Sequence, residues 1–528
     1  MPAYAVFYQT GCGKTAPTIH TAARLFSARR IDGGIVIAPN MVHRNWITDE
    51  IPKHSPIAWQ GLDWHSSRAK LQDRALTQLL ATPRGGDLPW LAITYDGVLT
   101  PRGRQAVLDF LGKFPKTMLV IDEASRVKNP ESKRTKKVAA LRKLSAYVRL
   151  LNGTPTEIPL DLYAQMKLLD DRFWLRHNIG SWTAFKSEFC IMRDIQIGGE
   201  DDREGREPIK KWAPIVPYES TPQGIAAYEQ LDLSEILEPK EIEKIQPIVS
   251  KEVLAEAQAI VTAGRTIKIV GGYKELGKLH DMIQPLSKRL TKEQAGLNLP
   301  PKLYQKLVFE MSAEQRSVYE RMRREYMVEL ENGVLITAPM AVVRLTRLQQ
   351  IACGYLPHPE DPDAPPMPIG KDKNPRLEAF LDWLEDIGGQ QVIVWCRFTP
   401  DVDAIVRELG PARCVRFDGE VGEREKASGL ELFKAGKRQV CVAKAASMGM
   451  GLTIVNSHLA FYYSNTFSMI DRLQSEDRQH RPGQHHAVTY VDLVADRTVD
   501  DKILKRLRSK KAVADEVIGD DYREWLSP

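Results

Sequence analysis

Short apolar runs alternate with amphipathic or charged stretches in two separate regions of this chain. In the first region the runs fall at Ala3–Tyr8, Ile35–Ala38, Trp90–Thr94, Met118–Ile121 and Val148–Leu151. In the second they fall at Val392–Cys396, Cys414–Phe417, Val440–Ala443, Leu459–Tyr463 and Val488–Leu493. Apolar strands alternating with helices are the signature of parallel α/β sheets. The pattern therefore predicts an α/β fold of two similar lobes, with no short internal repeat.

Between the lobes the texture changes. The stretch from about Gly198 to Gly264 is rich in charge and proline, then turns helical (SEILEPKEIEKIQPIVSKEVLAEAQAIV), and reads as an inserted subdomain. A second helical stretch runs from Ser312 to Gly354. The loop that follows, LPHPEDPDAPPMPIG, has too much proline for a strand or helix. The expected organisation is lobe one over 1–190, a largely helical protrusion over 191–290, a helical lead-in over 291–371, and lobe two over 372–528.

Composition narrows the class. With 528 residues, 43% hydrophobic and 27% charged, the chain can build large cores, and disorder is excluded. A net charge of +6 and a pI near 8.8 permit a polyanionic partner without establishing one. The six cysteines are scattered, with no C-x-x-C spacing, which argues against a zinc or iron–sulfur site and suits a reducing compartment. No run is long and apolar enough to cross a bilayer, and the start has no signal-peptide pattern, so no membrane association and a cytoplasmic location are expected.

Three pieces carry candidate chemistry. Thr10, Gly11, Cys12, Gly13, Lys14 and Thr15 follow the first predicted strand and precede a helical stretch. Glycines let backbone N–H groups approach phosphates, and a helix N-terminus adds positive potential. Lys14 would neutralise the β- and γ-phosphates of ATP, and the Thr15 hydroxyl would coordinate Mg²⁺. The loop departs from the strict pattern, with Tyr8 where a glycine is usual, and by itself could be a chance glycine turn.

The second piece, MLVIDEAS, ends a buried strand in Asp122 and Glu123. Strand C-termini of a parallel sheet share one edge with the phosphate loop. Asp122 could then hold Mg²⁺ and Glu123 could deprotonate the attacking water; a solvated acidic strand end is the plainer reading. In the third piece, spacings of four and three place Gln474, Arg478 and Arg481 on one predicted helix face, ended by Pro482 and Gly483. Two such guanidiniums suit stabilisation of γ-phosphate charge, although Glu476 and Asp477 nearby also allow a salt-bridged surface helix.

Together the pieces resemble the Swi/Snf family of superfamily-two helicase-like ATP-dependent DNA translocases. The likeness extends to IVIAPNMVHRNWITDEI, LAITYDGVL, LLNGTPTEIPLDLY, IQPLSKRLTKEQAGLNLPPK, VIVWCRFTPDVDAIVREL, AKAASMGMGLTIVNSHLAFYYSN and VTYVDLVADRTVDDKIL. It implies two RecA-like lobes, hydrolysis of ATP with Mg²⁺ at the cleft between them, and movement along DNA, duplex in preference. By motif position it carries DNA contacts onto Arg44, Asn45, Tyr95, Lys128, Arg397 and Ser447. It also puts Gln474 beside the nucleotide and leaves Lys14, Asp122, Glu123, Arg478 and Arg481 as the catalytic set. The compact length is similar to bacterial or phage members, which places the protein in a bacterial or phage-infected cell.

Some features depart from the family. Gln9 replaces the usual acidic residue of the phosphate loop, and Asn152 stands where threonine is common. The family's adenine-recognising glutamine segment has no counterpart in the nine residues before Thr10, so another segment is expected to supply that contact, or the start to lie upstream. Three other readings stay open: a strand-separating helicase, a catalytically weak nucleotide-sensing scaffold on DNA, and the motor subunit of a restriction or defence complex. Two basic clusters, Arg126–Lys143 and Lys502–Lys511, suit a DNA track or a solvated face equally. Trp46 and Trp395 read as core rather than base-stacking residues. A thiol at a helix N-terminus can have a lowered pKa, which would make Cys12 reactive; its small size in the turn is the plainer account.

Overall fold

The computed structural model describes residues 1–40, 42–65, 69–153, 158–197, 215–218, 227–230, 265–331, 338–358, 364–370, 374–444, 454–505 and 507. Two all-parallel sheets organise the chain. Lobe one is built on β1 (Ala3–Tyr8), β2 (Gly33–Ala38), β3 (Trp59–Trp64), β4 (Leu88–Thr94), β5 (Thr117–Asp122) and β6 (Tyr147–Leu151). After β6 come two antiparallel pairs, β7 (Cys190–Ile197) with β10 (Arg265–Tyr273), and β8 (Ile215–Tyr218) with β9 (Ala227–Gln230). The chain then returns to lobe one with β11 (Ser287–Leu290), completing seven strands in the order β11-β1-β6-β5-β2-β4-β3.

Lobe two begins at β12 (Lys302–Phe309). A two-residue pair, β13 (Tyr355–Leu356) and β14 (Met367–Pro368), closes the proline-rich loop, which corrects the expectation that it holds no strand. Then follow β15 (Val392–Cys396), β16 (Cys414–Phe417), β17 (Val440–Lys444), β18 (Leu459–Tyr462) and β19 (Val488–Ala495), in the order β12-β19-β18-β15-β17-β16. The α/β expectation of two parallel-sheet lobes holds.

Both faces of each sheet are covered, which is why the central strands read as continuous apolar runs. In β2 all six residues are buried: Ile35 and Ile37 enter one core, Val36 and Ala38 the other. In β15, Val392 and Val394 face one core while Ile393 and Trp395 face its opposite. Helices supply the cover. Thr15–Ser27 buries Ile19 and Ala22 against β2 and β4, and Pro101–Lys113 buries Val107 and Phe110 on the other side.

The expected boundaries shift in two places. The helix Leu276–Ile283 packs Leu276, Leu279 and Ile283 into the lobe-one core, and β11 pairs with β1, so lobe one resumes well before 290. β12 pairs with β19 along its full length, so lobe two starts near 302, ahead of the expected 372. In the 191–290 span the described residues form the β7–β10 pair, the β8–β9 pair, the helix Leu276–Ile283 and β11; the helical stretch expected from Ser234 to Val261 lies outside the described residues. Helices do occupy Ala313–Glu331 and Ala338–Ala352, as the 312–354 pattern predicts. Among the described residues no helix is long and apolar enough to cross a membrane.

Candidate active site

β1 and β5 flank β6, so their C-terminal ends face the same edge of the sheet one strand apart. The chain leaves β1 through Gln9 and Thr10 into a loop where Gly11 (φ +94°) and Gly13 (φ +74°) adopt conformations disfavoured for other residues. A Cβ at Gly13 would meet open space, so that glycine serves backbone conformation just before the helix Thr15–Ser27. Gly153, just past β6, serves close approach: a Cβ there would sit 2.6 Å from the Thr10 hydroxyl.

The end of β5 supplies the carboxylates. Asp122 and Glu123 are both buried, and Glu123 is held in the left-handed region at φ 55°, a costly conformation for a side chain of its size. Asp122 Oδ1 accepts from the Glu123 amide at 3.0 Å, and Asp122 Oδ2 accepts from Trp46 Nε1 at 2.9 Å. The Tyr95 hydroxyl donates to the Asp122 carbonyl at 2.7 Å. Lys14 spans the gap from the phosphate loop, with Nζ 2.6 Å from Glu123 Oε1 and 3.6 Å from Asp122 Oδ1. Burial pushes the Asp122 carboxyl above its ordinary range, with Lys14 opposing. For Lys14, the two carboxylates outweigh burial and raise the ammonium.

Lobe two closes the site from above. The helix Met469–Glu476 carries Gln474, whose Nε2 lies 3.4 Å from Glu123 Oε2. A Cβ on Gly11 would touch Arg481 Cγ at 3.8 Å and Pro482 Cδ at 3.6 Å, so the arginine segment rests on the phosphate loop. Arg478 and Arg481 are both pushed below the usual guanidinium range, first by burial; for Arg478 the charge of Arg481 adds to this, and Glu123 opposes it for both. Two guanidiniums, Arg478 buried and Arg481 half-buried, that repel one another over a glycine-rich loop make a site that favours an anion.

The helix expected to present these arginines ends early. Helical geometry stops at Glu476, and Arg478 and Arg481 lie in the turns beyond it. Tertiary hydrogen bonds hold the turns: the Arg478 carbonyl accepts from the Ile454 amide, and Gln479 Nε2 donates to the Leu459 carbonyl. The residues still converge, although by a turn rather than a helix face.

Other expected residues fall less neatly. Cys12 is half-buried and its thiol is pushed up to about 11, chiefly by burial, which goes against a lowered pKa at the helix N-terminus and with the plainer account of a small residue in the turn. Trp395 is buried core, as expected; Trp46 is buried too, but its indole holds Asp122, a role its sequence context does not reveal. Of the strand-touching candidates, Arg44 is exposed and Asn45 half-buried on the short helix Val42–Asn45. Tyr95 is buried with its hydroxyl on the Asp122 main-chain carbonyl, which makes it a support of the strand end rather than a surface contact. Lys128 pairs with Asp161 at 3.3 Å, and Arg397 turns inward to Gln349 and Thr346. Ser447 lies outside the described residues.

The donors fit Mg²⁺. Among the described residues there is no cluster of three or more His, Cys, Asp or Glu side chains to cage a metal. Mg²⁺ needs none, because it keeps waters and binds through one or two carboxylates plus substrate phosphates. Asp122 at the end of β5 and the Thr15 hydroxyl at the start of the helix would be such a partial set.

Residues 6–354 match the SNF2-related domain, and residues 373–483 match the helicase conserved C-terminal domain. The "Putative ATP-dependent helicase/translocase YwqA" of Bacillus subtilis is 25% identical over 271 residues, covering 48% of this chain and 28% of that protein. The human "SWI/SNF-related matrix-associated actin-dependent regulator of chromatin subfamily A member 1" is 22% identical over 95% of this chain and 40% of its own length. The "Transcription regulatory protein SNF2" of Saccharomyces cerevisiae is 22% identical over 97% of this chain and 26% of its own length. This chain therefore spans from about a quarter to two fifths of the length of these relatives. A solved Sulfolobus solfataricus SWI2/SNF2 ATPase core in complex with dsDNA aligns over 99% of this chain and 91% of its own, at 19% identity and a TM-score of 0.32. The chain belongs to the SNF2-related family.

Proposed function

We propose that this SNF2-related chain hydrolyses ATP in the cleft between its lobes and couples each cycle to movement along DNA, duplex in preference. The observation that carries the reading is the convergence of Gln474 and the Arg478–Arg481 turn from lobe two onto Glu123 and Gly11 of lobe one.

The chemistry follows from what each group can do. The phosphate loop from Thr10 to Thr15 would receive the phosphates on its amides and helix N-terminus. Lys14 would exchange its Glu123 partner for the β- and γ-phosphates, leaving Glu123 Oε1 without its cation. Glu123 would then take a proton from the attacking water as oxygen bonds to the γ-phosphorus and the bond to the β-γ bridging oxygen breaks, releasing ADP and phosphate. Thr15 and Asp122 would hold Mg²⁺, which neutralises charge on the phosphate oxygens when bound. Arg478 and Arg481 would stabilise the charge that grows on the transferring group, a contribution of about 10³–10⁵ in rate. Gln474 orients Glu123 from the opposite side.

Movement would follow from the site's division between lobes. The γ-phosphate attracts the lobe-two arginines toward lobe one, and its loss removes that tether. A motor must ignore sequence, so its DNA contacts should go to phosphate; Arg44 is the most exposed of the described candidates.

The test is steady-state ATP hydrolysis with no polymer, single-stranded DNA, duplex DNA and RNA, with Lys14→Ala as control. Stimulation by duplex that disappears in Lys14→Ala supports the proposal. Stimulation by single strands alone would favour strand separation, and no turnover under any condition would favour a nucleotide-sensing scaffold.

A further inference from the structure

The connector between β11 and β12, residues 291–301, runs through the cleft and is bonded to both of its sides. At its start the backbone N–H of Lys292 donates to Gln9 Oε1 at 3.0 Å, immediately before the phosphate loop. Gln9 is itself fixed, its amide donating to the Leu290 carbonyl at 2.9 Å. The Lys292 side chain, 5% exposed, points the other way, into the arginine turn.

There its ammonium finds a partner for each of its three N–H groups. Asp477 Oδ1 lies at 2.7 Å, the His480 carbonyl at 2.7 Å and His480 Nδ1 at 3.1 Å. Because Nδ1 accepts from an ammonium, the ring proton sits on Nε2, which donates to the Pro300 carbonyl at 2.8 Å. Burial, with Lys302 and Lys292 nearby, pushes His480 down to about 4, consistent with a neutral ring. Against the upward push of burial, Lys292 and Lys302 hold Asp477 well below the usual carboxylate range. The groups held by Lys292 are the immediate neighbours of the two arginines: Asp477 precedes Arg478, and His480 precedes Arg481. Arg481 Nε in turn donates to the Asp477 carbonyl at 2.6 Å.

We infer that Lys292 is a positioning residue: its backbone registers on the phosphate loop while its ammonium fixes the turn that carries Arg478 and Arg481. The inference rests on the cleft being an ATP site, and it assigns Lys292 no contact with nucleotide. A buried ammonium is costly unless its hydrogen bonds are complete. Here they are complete only while the turn keeps this shape, so the cost of misplacing the turn is high. Lys302 provides the comparison. It is half-buried and pairs with Glu476 at 3.0 Å, but it anchors the helix end and reaches Asp477 only at 3.6 Å.

The test uses the full chain with duplex DNA, comparing wild type, Lys292→Met, Asp477→Asn and Lys302→Met for kcat, and a fluorescent ATP analogue for affinity. Misplacing a catalytic group by about 1 Å costs about 10²-fold. That loss in kcat is expected for Lys292→Met and Asp477→Asn, with analogue affinity within about threefold of wild type. Lys302→Met is expected to melt earlier and to keep kcat within about twofold. Asp477→Asn removes the negative charge opposite the Lys292 ammonium with little change of shape, so it decides the matter if Lys292→Met does not fold. A kcat near wild type in either variant, or an affinity that falls in step with kcat, would overturn the inference. Absence of turnover in wild type strikes the proposed function instead, whereas wild-type turnover that survives Lys292→Met strikes only this inference.

Discussion

The indole Nε1 of Trp46 donates to Asp122 Oδ2 at 2.9 Å, joining the segment that exposes Arg44 to a carboxylate of the nucleotide site. Trp46 sits in a short π-helical turn, Trp46–Glu50, directly after the helix Val42–Asn45. Such turns insert an extra residue and re-aim side chains at functional sites. A shift in the Arg44 segment would thus reach Asp122 through one hydrogen bond.

Trp46→Phe keeps most of the apolar bulk and deletes that donor. Half-saturating Mg²⁺ should rise several-fold and kcat should fall by about tenfold, the worth of one hydrogen bond to a charged group. A titration of hydrolysis against Mg²⁺ checks this; an unchanged Mg²⁺ dependence would mean that Trp46 only fills the core.

Glu123→Gln removes the proton acceptor while keeping side-chain length. It also removes the charge that pairs with Lys14 at 2.6 Å, so Lys14 becomes freer for phosphate. Nucleotide affinity should hold or tighten while turnover falls by about 10²–10⁴-fold, the usual contribution of a general base. Equilibrium binding of an ATP analogue beside single-turnover hydrolysis separates the two; normal hydrolysis would remove Glu123 from its role.

Acid should loosen lobe two at a defined point. Glu476 is fully buried, and Lys302 and Arg472 hold its carboxyl down to about 2 against the push of burial. Its folded-state pKa lies below its ordinary 4.5, so the pairing stabilises the protein above pH 4.5 and that stability is lost as pH falls through about 2. The shift corresponds to about 3 kcal/mol. Lys302→Met should move the acid-unfolding midpoint toward neutral pH, followed by tryptophan fluorescence; an unmoved midpoint would show that Arg472 suffices.

Cys12 should resist alkylation. With its thiol pushed up to about 11 by burial, the thiolate is scarce at pH 8, and labelling by iodoacetamide should run more than about tenfold slower than for a free thiol. Peptide mapping after timed labelling reads the rate. Rapid modification of Cys12 would contradict the burial seen in the loop.

The two lobes were legible because their central strands are buried on both faces and so carry unbroken apolar runs, as in Met118–Ile121 and Val392–Cys396. The strands that escaped that pattern, β3, β11 and β12, lie at sheet edges. There SKRL and KLYQKLVF leave polar and charged side chains exposed, and backbone pairing with one neighbour is enough to hold the strand. Lys14, Asp122 and Glu123 were readable because loop and strand-end chemistry is local in sequence. The shape of the arginine turn was not, since the bonds from Ile454 and to Leu459 that hold it come from residues distant in sequence. Trp46 and Lys292 were hidden for the same reason: an indole in an apolar stretch and a lysine in a connector acquire their roles only from partners 76 and 185 residues away.

The central claim is that residues of both lobes complete one ATP site, and Arg481→Ala tests it most directly. Single-turnover hydrolysis in the presence of duplex DNA should fall by about 10³-fold or more, while the phosphate loop on lobe one still binds an ATP analogue with near wild-type affinity. Hydrolysis close to the wild-type rate in Arg481→Ala would mean that lobe two does not complete the site, and the account of the cleft would fail.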